Sequence, residues 1–414
     1  MKTLLILGAG AGGSMVANKM SRTLDLEKWQ IIIVDKDENH YYQPGYLFVP
    51  FDVESLSRFV KPRRQFLPKT AEFILSDIEM IEPDKNLVLL NKDKRVIPYD
   101  YLVIATGTEI RPEEVDGMLD GGWRKNIFDF YTPEGSLALR DFIRTWNGGK
   151  LVVNVTEMPI KCPVAPLEFV FMSDWYFQKQ NMRKDVEITY VTPLSGAFTK
   201  PSADEMLGDL LIKKGIATVP DFNIAEVDSS SKIIRSYDDR KVEYDLLITI
   251  PTNMGDPVFE RSGMGDELNH IPVNRNTLQS QKWENVFAIG DASDVPTSKA
   301  GSAVHFMHDT LVNNITRHIA GKELEATYDG HVNCFIETGF NNGILIDFSY
   351  DVEPLPGIYP YPLFGPFSLL KESKINHLGK IAFDFIYWNF ILKAIPMPIS
   401  NHFSMLGKHS NNKN

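Results

Sequence analysis

The stretch Thr3-Leu4-Leu5-Ile6-Leu7-Gly8-Ala9-Gly10-Ala11-Gly12-Gly13 decides the fold. Thr3 to Leu7 is a short apolar run that reads as a buried strand, and a helical stretch from Ser14 to about Arg22 comes after the glycines. Strand, glycine turn and helix make a dinucleotide-binding fingerprint because each glycine has a mechanical task. Gly8 permits the tight turn, Gly10 lets the backbone approach a pyrophosphate, and Gly13 lets the helix pack closely, while the helix N-terminus offers unpaired N–H donors. A second apolar strand, Gln30 to Val34, ends in Asp35, about 20 positions beyond the turn, where a ribose hydroxyl needs an acceptor. A ligand-free glycine turn would explain the glycines but not the placed acid.

Two later strands extend the pattern. Tyr101-Leu102-Val103-Ile104 runs into Ala105-Thr106-Gly107, and Val286-Phe287-Ala288-Ile289 closes in Gly290-Asp291. With the N-terminal fingerprint, this order resembles the two-dinucleotide-domain flavoproteins, in which the first glycine turn binds FAD and the Gly-Asp aspartate holds the ribityl chain. That resemblance implies an α/β chain with two Rossmann-like domains. The expected division is an FAD domain at 1–112 and 240–325, a second Rossmann-like domain at 113–239, and a C-terminal region at 326–414.

Length and composition agree with this. The 414 residues are enough for two or three domains, and 43% hydrophobic with 23% charged residues describes a globular chain. A formal charge of -11 opposes the electrostatic attraction on which nucleic-acid binding rests, so no nucleic-acid partner is expected. Two cysteines, Cys162 and Cys334, exclude a disulfide scaffold and show no metal-ligand spacing. No run approaches the ~20 apolar residues of a spanning helix, and the opening Met-Lys-Thr-Leu-Leu is read as a strand rather than an export signal.

The second domain departs from the flavoprotein pattern. Its strand Lys150 to Val155 should lead into a second glycine turn for a nicotinamide nucleotide, but the sequence continues Thr156-Glu157-Met158-Pro159-Ile160-Lys161-Cys162-Pro163. Prolines and bulky side chains there block a pyrophosphate. The next strand, Val186 to Val191, ends in Thr192-Pro193 with no ribose-binding acid. Electrons must therefore come from another donor. Cys162, ahead of a helical run Val164 to Ser173, is expected at a helix N-cap that lowers its thiol pKa; a small buried apolar residue is the plainer alternative.

Several passages then resemble the sulfide:quinone oxidoreductases and the related flavocytochrome c sulfide dehydrogenases over essentially the whole chain. They are the N-terminal fingerprint, His40-Tyr41-Tyr42-Gln43-Pro44-Gly45-Tyr46, Lys161-Cys162-Pro163 with Glu168 six residues on, Gly290-Asp291, Pro296-Thr297-Ser298-Lys299-Ala300-Gly301, Cys334, and Gly379-Lys380-Ile381-Ala382-Phe383. The resemblance implies hydrogen sulfide and quinone as substrates. It also implies a Cys162–Cys334 disulfide or sulfur-bridged pair with Glu168 beside it, the glutamate serving either proton transfer or the helix dipole. The cofactor set it implies is Gly8, Gly10, Gly13, Asp35, Ile78, Ala105, Thr106, Gly107, Gly290, Asp291, Lys299 and Gly301, and the quinone set is Lys380, Phe383 and Phe335. Members of the family often carry a third cysteine where Asn126-Ile127-Phe128-Asp129-Phe130 stands here, and flavocytochromes tether FAD by a cysteine where this chain has Gln43-Pro44-Gly45, so noncovalent FAD is expected.

From Tyr359 to Met405 aromatic and aliphatic residues are dense and charges few. Ile381, Phe385, Trp388 and Leu392 are expected on one helical face, suited to an interfacial position on a lipid surface; a buried helix would show a similar pattern. Lys393, Lys408 and Lys413 would add attraction to anionic lipid. The expected protein is thus a peripheral membrane enzyme on the cytoplasmic side, with a homo-oligomer compatible. A type II NADH:quinone dehydrogenase would need the missing glycines, a soluble sulfide dehydrogenase would have no use for the apolar tail, and a non-catalytic flavin-fold module would leave its flavin unreduced by any sulfur compound.

Overall fold

The computed structural model describes residues 1–362 and 364–409. Leu363 and Lys413 fall outside the described residues.

The first sheet has five parallel strands in the order Val286–Ala288, Tyr101–Ile104, Lys2–Leu7, Trp29–Asp35, Glu72–Leu75. Uninterrupted apolar runs suit strands covered on both faces, and Leu4 to Leu7 are fully buried. The register aligns the strand ends. Leu7 pairs with both Val34 and Ile104, and Ile104 with Ala288, so these strands end at one edge. The glycine turn, Asp35, Ala105-Thr106-Gly107 and Gly290-Asp291 therefore meet at the carboxyl edge of the sheet, where open α/β folds bind ligands. Helix Ala11–Thr23 leaves the turn and packs against helix Gly301–Ile319.

The second sheet repeats the architecture, with parallel strands ordered Ile127–Phe128, Leu246–Ile250, Gly149–Val155, Val186–Val191, Ala217–Val219. Its helix runs Ala165–Lys179, longer than the sequence suggested because buried residues continue through Phe177. The helix is capped by Val164. Cys162 lies two residues before that cap with a left-handed φ of 45°, and so is not the N-cap residue expected.

The C-terminal region forms a third sheet, Val332–Gly339, Asn342–Phe348, Phe367–Leu369, Gly357–Tyr359, after which comes helix Lys374–Ile386. Ser373 caps that helix by accepting from Asn376 N at 3.0 Å. Gly379 is required where it stands, because a Cβ there would meet Phe367 at 2.5 Å and Phe335 at 2.8 Å. The helix continues into a π turn, Tyr387–Ile391. That wider turn breaks the helical period, which corrects the expected apolar face: Trp388 and Leu392 turn inward at 3% and 0% exposure, while Leu378, Ile381 and Phe385 stand outward at 62%, 37% and 63%. Among the described residues no helix is long and apolar enough to cross a membrane.

Candidate active site

A cavity opens at the carboxyl edge of the first sheet. Gly10, Ala105, Thr106, Gly107, Gly290, Asp291, Lys299 and Gly301 line it together with Cys162, Glu168, Lys380 and Phe383. Thr106 and Gly107 also line an adjoining cleft with Gly8, Asp35 and Ile78. The two hollows thus form one elongated trough that runs along the glycine turn. Asp35 is held at its end: Oδ2 accepts from Ala9 N at 2.6 Å and pairs with Arg63 Nη1 at 2.9 Å. Gly13 lies against the turn, where a Cβ would sit 1.9 Å from Gly8 O.

The loop that replaces the second glycine turn is fastened from three directions. Cys162 N donates to Lys299 O at 2.7 Å, Lys161 N to Asn253 Oδ1 at 3.0 Å, and the Tyr131 hydroxyl to Lys161 O at 2.7 Å and Cys162 O at 3.2 Å. Lys299 Nζ, in turn, donates to the carbonyls of Asp291 and Ser293 at 3.1 and 2.8 Å. Burial lowers the Lys299 pKa and raises that of Asp291. Cys162 is thereby pinned by loop residues Tyr131 and Lys299 and by Asn253 of the short strand Thr252–Met254.

Cys334 reaches the same place from strand Val332–Gly339, and both thiols are free. The neighbours of Cys334 on that strand bind the cavity wall, Phe335 O accepting from Lys380 Nζ at 3.2 Å and Glu337 N donating to Glu168 Oε1 at 2.6 Å, and burial raises the Cys334 pKa. Burial first, then Glu168, pushes the Cys162 thiol up to about 12, against the opposing pull of Lys380. This reverses the low pKa expected from a helix N-cap: Cys162 lies outside the helix and is partly buried, and the Glu168 carboxylate opposes thiolate formation.

Glu168, in the first turn of helix Ala165–Lys179, is buried. Its Oε1 accepts from Lys380 Nζ and from Glu337 N, both at 2.6 Å. Burial raises the Glu168 pKa while Lys380 lowers it, and the ammonium is held charged by Glu168. Lys380 is therefore half of a buried ion pair rather than a solvated residue. Phe383 faces the cavity one turn later, beside Tyr42 and Tyr387. Phe335 departs from expectation. Its ring stacks edge-on against Phe367 at 5.2 Å, away from the cavity, because Cys334 and Phe335 point to opposite faces of their strand. Only its carbonyl takes part, accepting from Lys380 Nζ at 3.2 Å.

The chain is similar to known proteins in sequence and in fold. The family described as pyridine nucleotide-disulphide oxidoreductase matches residues 2–133. The mitochondrial sulfide:quinone oxidoreductase of Dictyostelium discoideum is 30% identical over 397 residues, covering 94% of this chain and 86% of that protein. This chain belongs to the sulfide:quinone oxidoreductase family. The mitochondrial sulfide:quinone oxidoreductase of Mus musculus is 28% identical over 398 residues, with shares of 94% and 86%. In three dimensions the sulfide:quinone oxidoreductase of Aquifex aeolicus matches with a TM-score of 0.79 at 19% identity, over 96% of this chain and 93% of that one.

The trough of this sulfide:quinone oxidoreductase relative fits FAD. A Cβ at Gly10 would meet nothing within 4 Å, so the crest of the turn is open to a pyrophosphate. Among the described residues the buried hydroxyls of Thr106 and Thr108, both on the cavity wall, meet no protein partner and are available to a polar ligand. Three participants had no clear signal in the sequence. Arg63 and Tyr131 act through partners distant in the chain, and Lys161, whose Nζ donates to Thr108 O at 3.1 Å, was visible only as a basic neighbour of Cys162.

Proposed function

We propose that this chain is a peripheral membrane flavoenzyme that oxidises hydrogen sulfide and reduces quinone, with Cys162 and Cys334 as its sulfur-handling pair. The observation that supports this reading is that Cys162 lines the cavity beside Glu168 and Lys380, while Cys334, the only other cysteine in the chain, stands on the strand whose Phe335 carbonyl and Glu337 N–H bind that same Lys380 and Glu168. When bound, FAD takes two electrons from the sulfur side and releases them to quinone. Its attachment is noncovalent, since both cysteines are committed to the sulfur site. Gly8, Gly10 and Gly13 shape the pyrophosphate seat, with Asp35 and Ile78 at one end of the trough and Asp291, Lys299 and Gly301 toward the other.

In the oxidised pair, hydrosulfide forms a bond to one cysteine sulfur as the bridge breaks. One cysteine then carries a persulfide and the other leaves as a thiolate. Lys380 opposes the effect of burial on both thiols, so it stabilises that thiolate. Glu168 shares the Lys380 proton and lies close enough to Cys162 to raise its pKa, which suits it to take a proton from incoming sulfide. Loss of two electrons to bound FAD would re-form the bridge with the added sulfur inside it, and each further hydrosulfide would lengthen that chain until polysulfide leaves.

The quinone site is the Lys380, Phe383 and Tyr387 stripe of helix Lys374–Ile386 and its π turn. Leu378, Ile381 and Phe385 repeat the same spacing two residues earlier, which at 100° per residue places them about 200° round the helix. One helix thus shows its polar-aromatic stripe to the cavity and an apolar stripe outward. Ile358, Tyr361, Phe364, Ile395, Met405 and Leu406 add exposed apolar surface from the same region. A lipid surface is the partner that both needs this patch and carries quinone. Lys408 does not serve lipid attraction, because it is buried against Asp347 at 2.7 Å. Only two cysteines among 414 residues suits the reducing cytoplasmic side.

The test is anaerobic turnover: purified protein given sulfide and a water-soluble benzoquinone should form one quinol per sulfide consumed. Sulfide loss without quinol, or no sulfide loss, would overturn the reading.

A further inference from the structure

Reducing a quinone to quinol consumes two protons, and the donor in the cavity, Lys380, is sealed in. Its side chain and that of Glu168 are only 10% and 2% exposed. Glu168 can hand on the one proton it takes from hydrosulfide, so the second must reach Lys380 from water through the protein. One helical turn earlier stands His377, 19% exposed, with Nδ1 2.8 Å from Glu337 Oε2. Glu337 is 2% exposed, and its own N–H donates to Glu168 Oε1 at 2.6 Å. A buried carboxylate thus sits between a partly exposed imidazole and the Glu168–Lys380 pair. Its charge acts on both members of that pair. Nothing in the sulfur chemistry uses Glu337 or His377, and a carboxylate this deeply buried is costly unless it is paired.

We propose that His377 and Glu337 form a proton relay that refills Lys380 from the surface during quinone reduction. This inference rests on the quinone reading above. Lys380 gives its proton to a quinone oxygen and becomes an amine. His377 takes a proton from water and passes it to Glu337, and Glu337 passes it on to the Lys380 amine, which shares the Glu168 Oε1 acceptor with the Glu337 N–H. One passage, with the proton that Glu168 takes from hydrosulfide and two electrons from sulfide by way of the flavin, converts quinone to quinol and returns every group to its starting charge. The ionisable groups facing Glu337 are His377 and Lys380 from one helix and Glu168 from the other.

The relay is tested on FAD-loaded protein by reducing the flavin with sulfide and monitoring its reoxidation by a water-soluble benzoquinone. His377→Ala should slow reoxidation roughly tenfold at pH 8, below the 10²–10⁴ of a direct proton donor. Added imidazole should restore most of the rate, a response that a merely structural histidine would not give. Glu337→Gln keeps the shape and the backbone N–H and should slow reoxidation similarly without imidazole rescue. Bleaching by sulfide should stay within about twofold of wild type in His377→Ala. Unchanged reoxidation in His377→Ala, or a loss that imidazole does not restore, overturns the relay. If wild-type protein itself fails to pass electrons to the benzoquinone, the quinone reading fails first.

Discussion

At the edge of the first sheet, Leu7 gives way to Gly8 at φ 91° and a helix begins by Ala11. At the matching edge of the second sheet, Val155 gives way to a longer loop holding Pro159, Cys162 and Pro163, and the helix begins only at Ala165. The strands beneath are parallel in both, and the helices cover them alike. The shorter glycine turn leaves its crest open, as Gly10 shows, and aims helix donors at a phosphate. The longer loop has no glycine crest and instead carries a thiol toward the first sheet, pinned by the Lys299 carbonyl. On the function proposed above, one architecture serves once to hold a cofactor and once to hold the electron donor's docking group, and the difference lies in about ten residues of turn.

The comparison can be broken most severely at the thiol. Cys162→Ser and Cys334→Ser should each lower sulfide-dependent quinone reduction by about 10³-fold or more, and the double variant should be hardly worse, since groups acting as a unit are non-additive. Retained turnover in Cys334→Ser with flavin intact would dissolve the pair. At the glycine crest, Gly10→Val should cost about 10²-fold in FAD retention while leaving the apoprotein's melting temperature nearly unchanged, because the added side chain meets only the ligand's space. Gly13→Ala should destabilise the fold itself by roughly 3 kcal/mol, since its Cβ strikes the Gly8 carbonyl. Thermal unfolding and flavin absorbance separate the two glycines.

Smaller effects sharpen the picture. Leu378→Asp with Phe385→Asp should weaken flotation with liposomes about tenfold, with turnover on a water-soluble benzoquinone little changed. In the reduced protein, burial holds Cys162 as a thiol up to about pH 12. Alkylation by iodoacetamide should therefore be slow at pH 8 and rise steeply above pH 10. The same shift lowers stability at high pH, because an unfolded cysteine releases its proton above about pH 8.5 while the folded one keeps it. A denaturation series from pH 8 to 11 should show stability falling, and a flat profile would contradict the buried-thiol assignment.

Much of the molecule is legible in its sequence. Val186 to Val191 reads as a strand to the residue, and the glycine turn, Asp35 and Gly290-Asp291 come together as expected, because short apolar runs between small-residue turns specify parallel strands strongly. Local geometry set by tertiary packing is not legible in the same way. Cys162 resembles an N-cap only because Pro163 suggests a helix start, whereas its hydrogen bond to Lys299, far along the chain, fixes a left-handed conformation. Trp388 and Leu392 keep helical spacing in sequence, but the π turn at Tyr387 rotates them inward. The Glu337–His377 contact carries no signal, since it joins a strand and a helix across 40 positions.

The most direct test of the central claim is an anaerobic flavin spectrum taken after NADH and then after sulfide. NADH should leave the flavin absorbance unchanged, since the second domain has no glycine crest to hold it, and sulfide should bleach it in wild type but not in Cys334→Ser. Rapid bleaching by NADH, or bleaching by sulfide that survives loss of Cys334, would contradict the account.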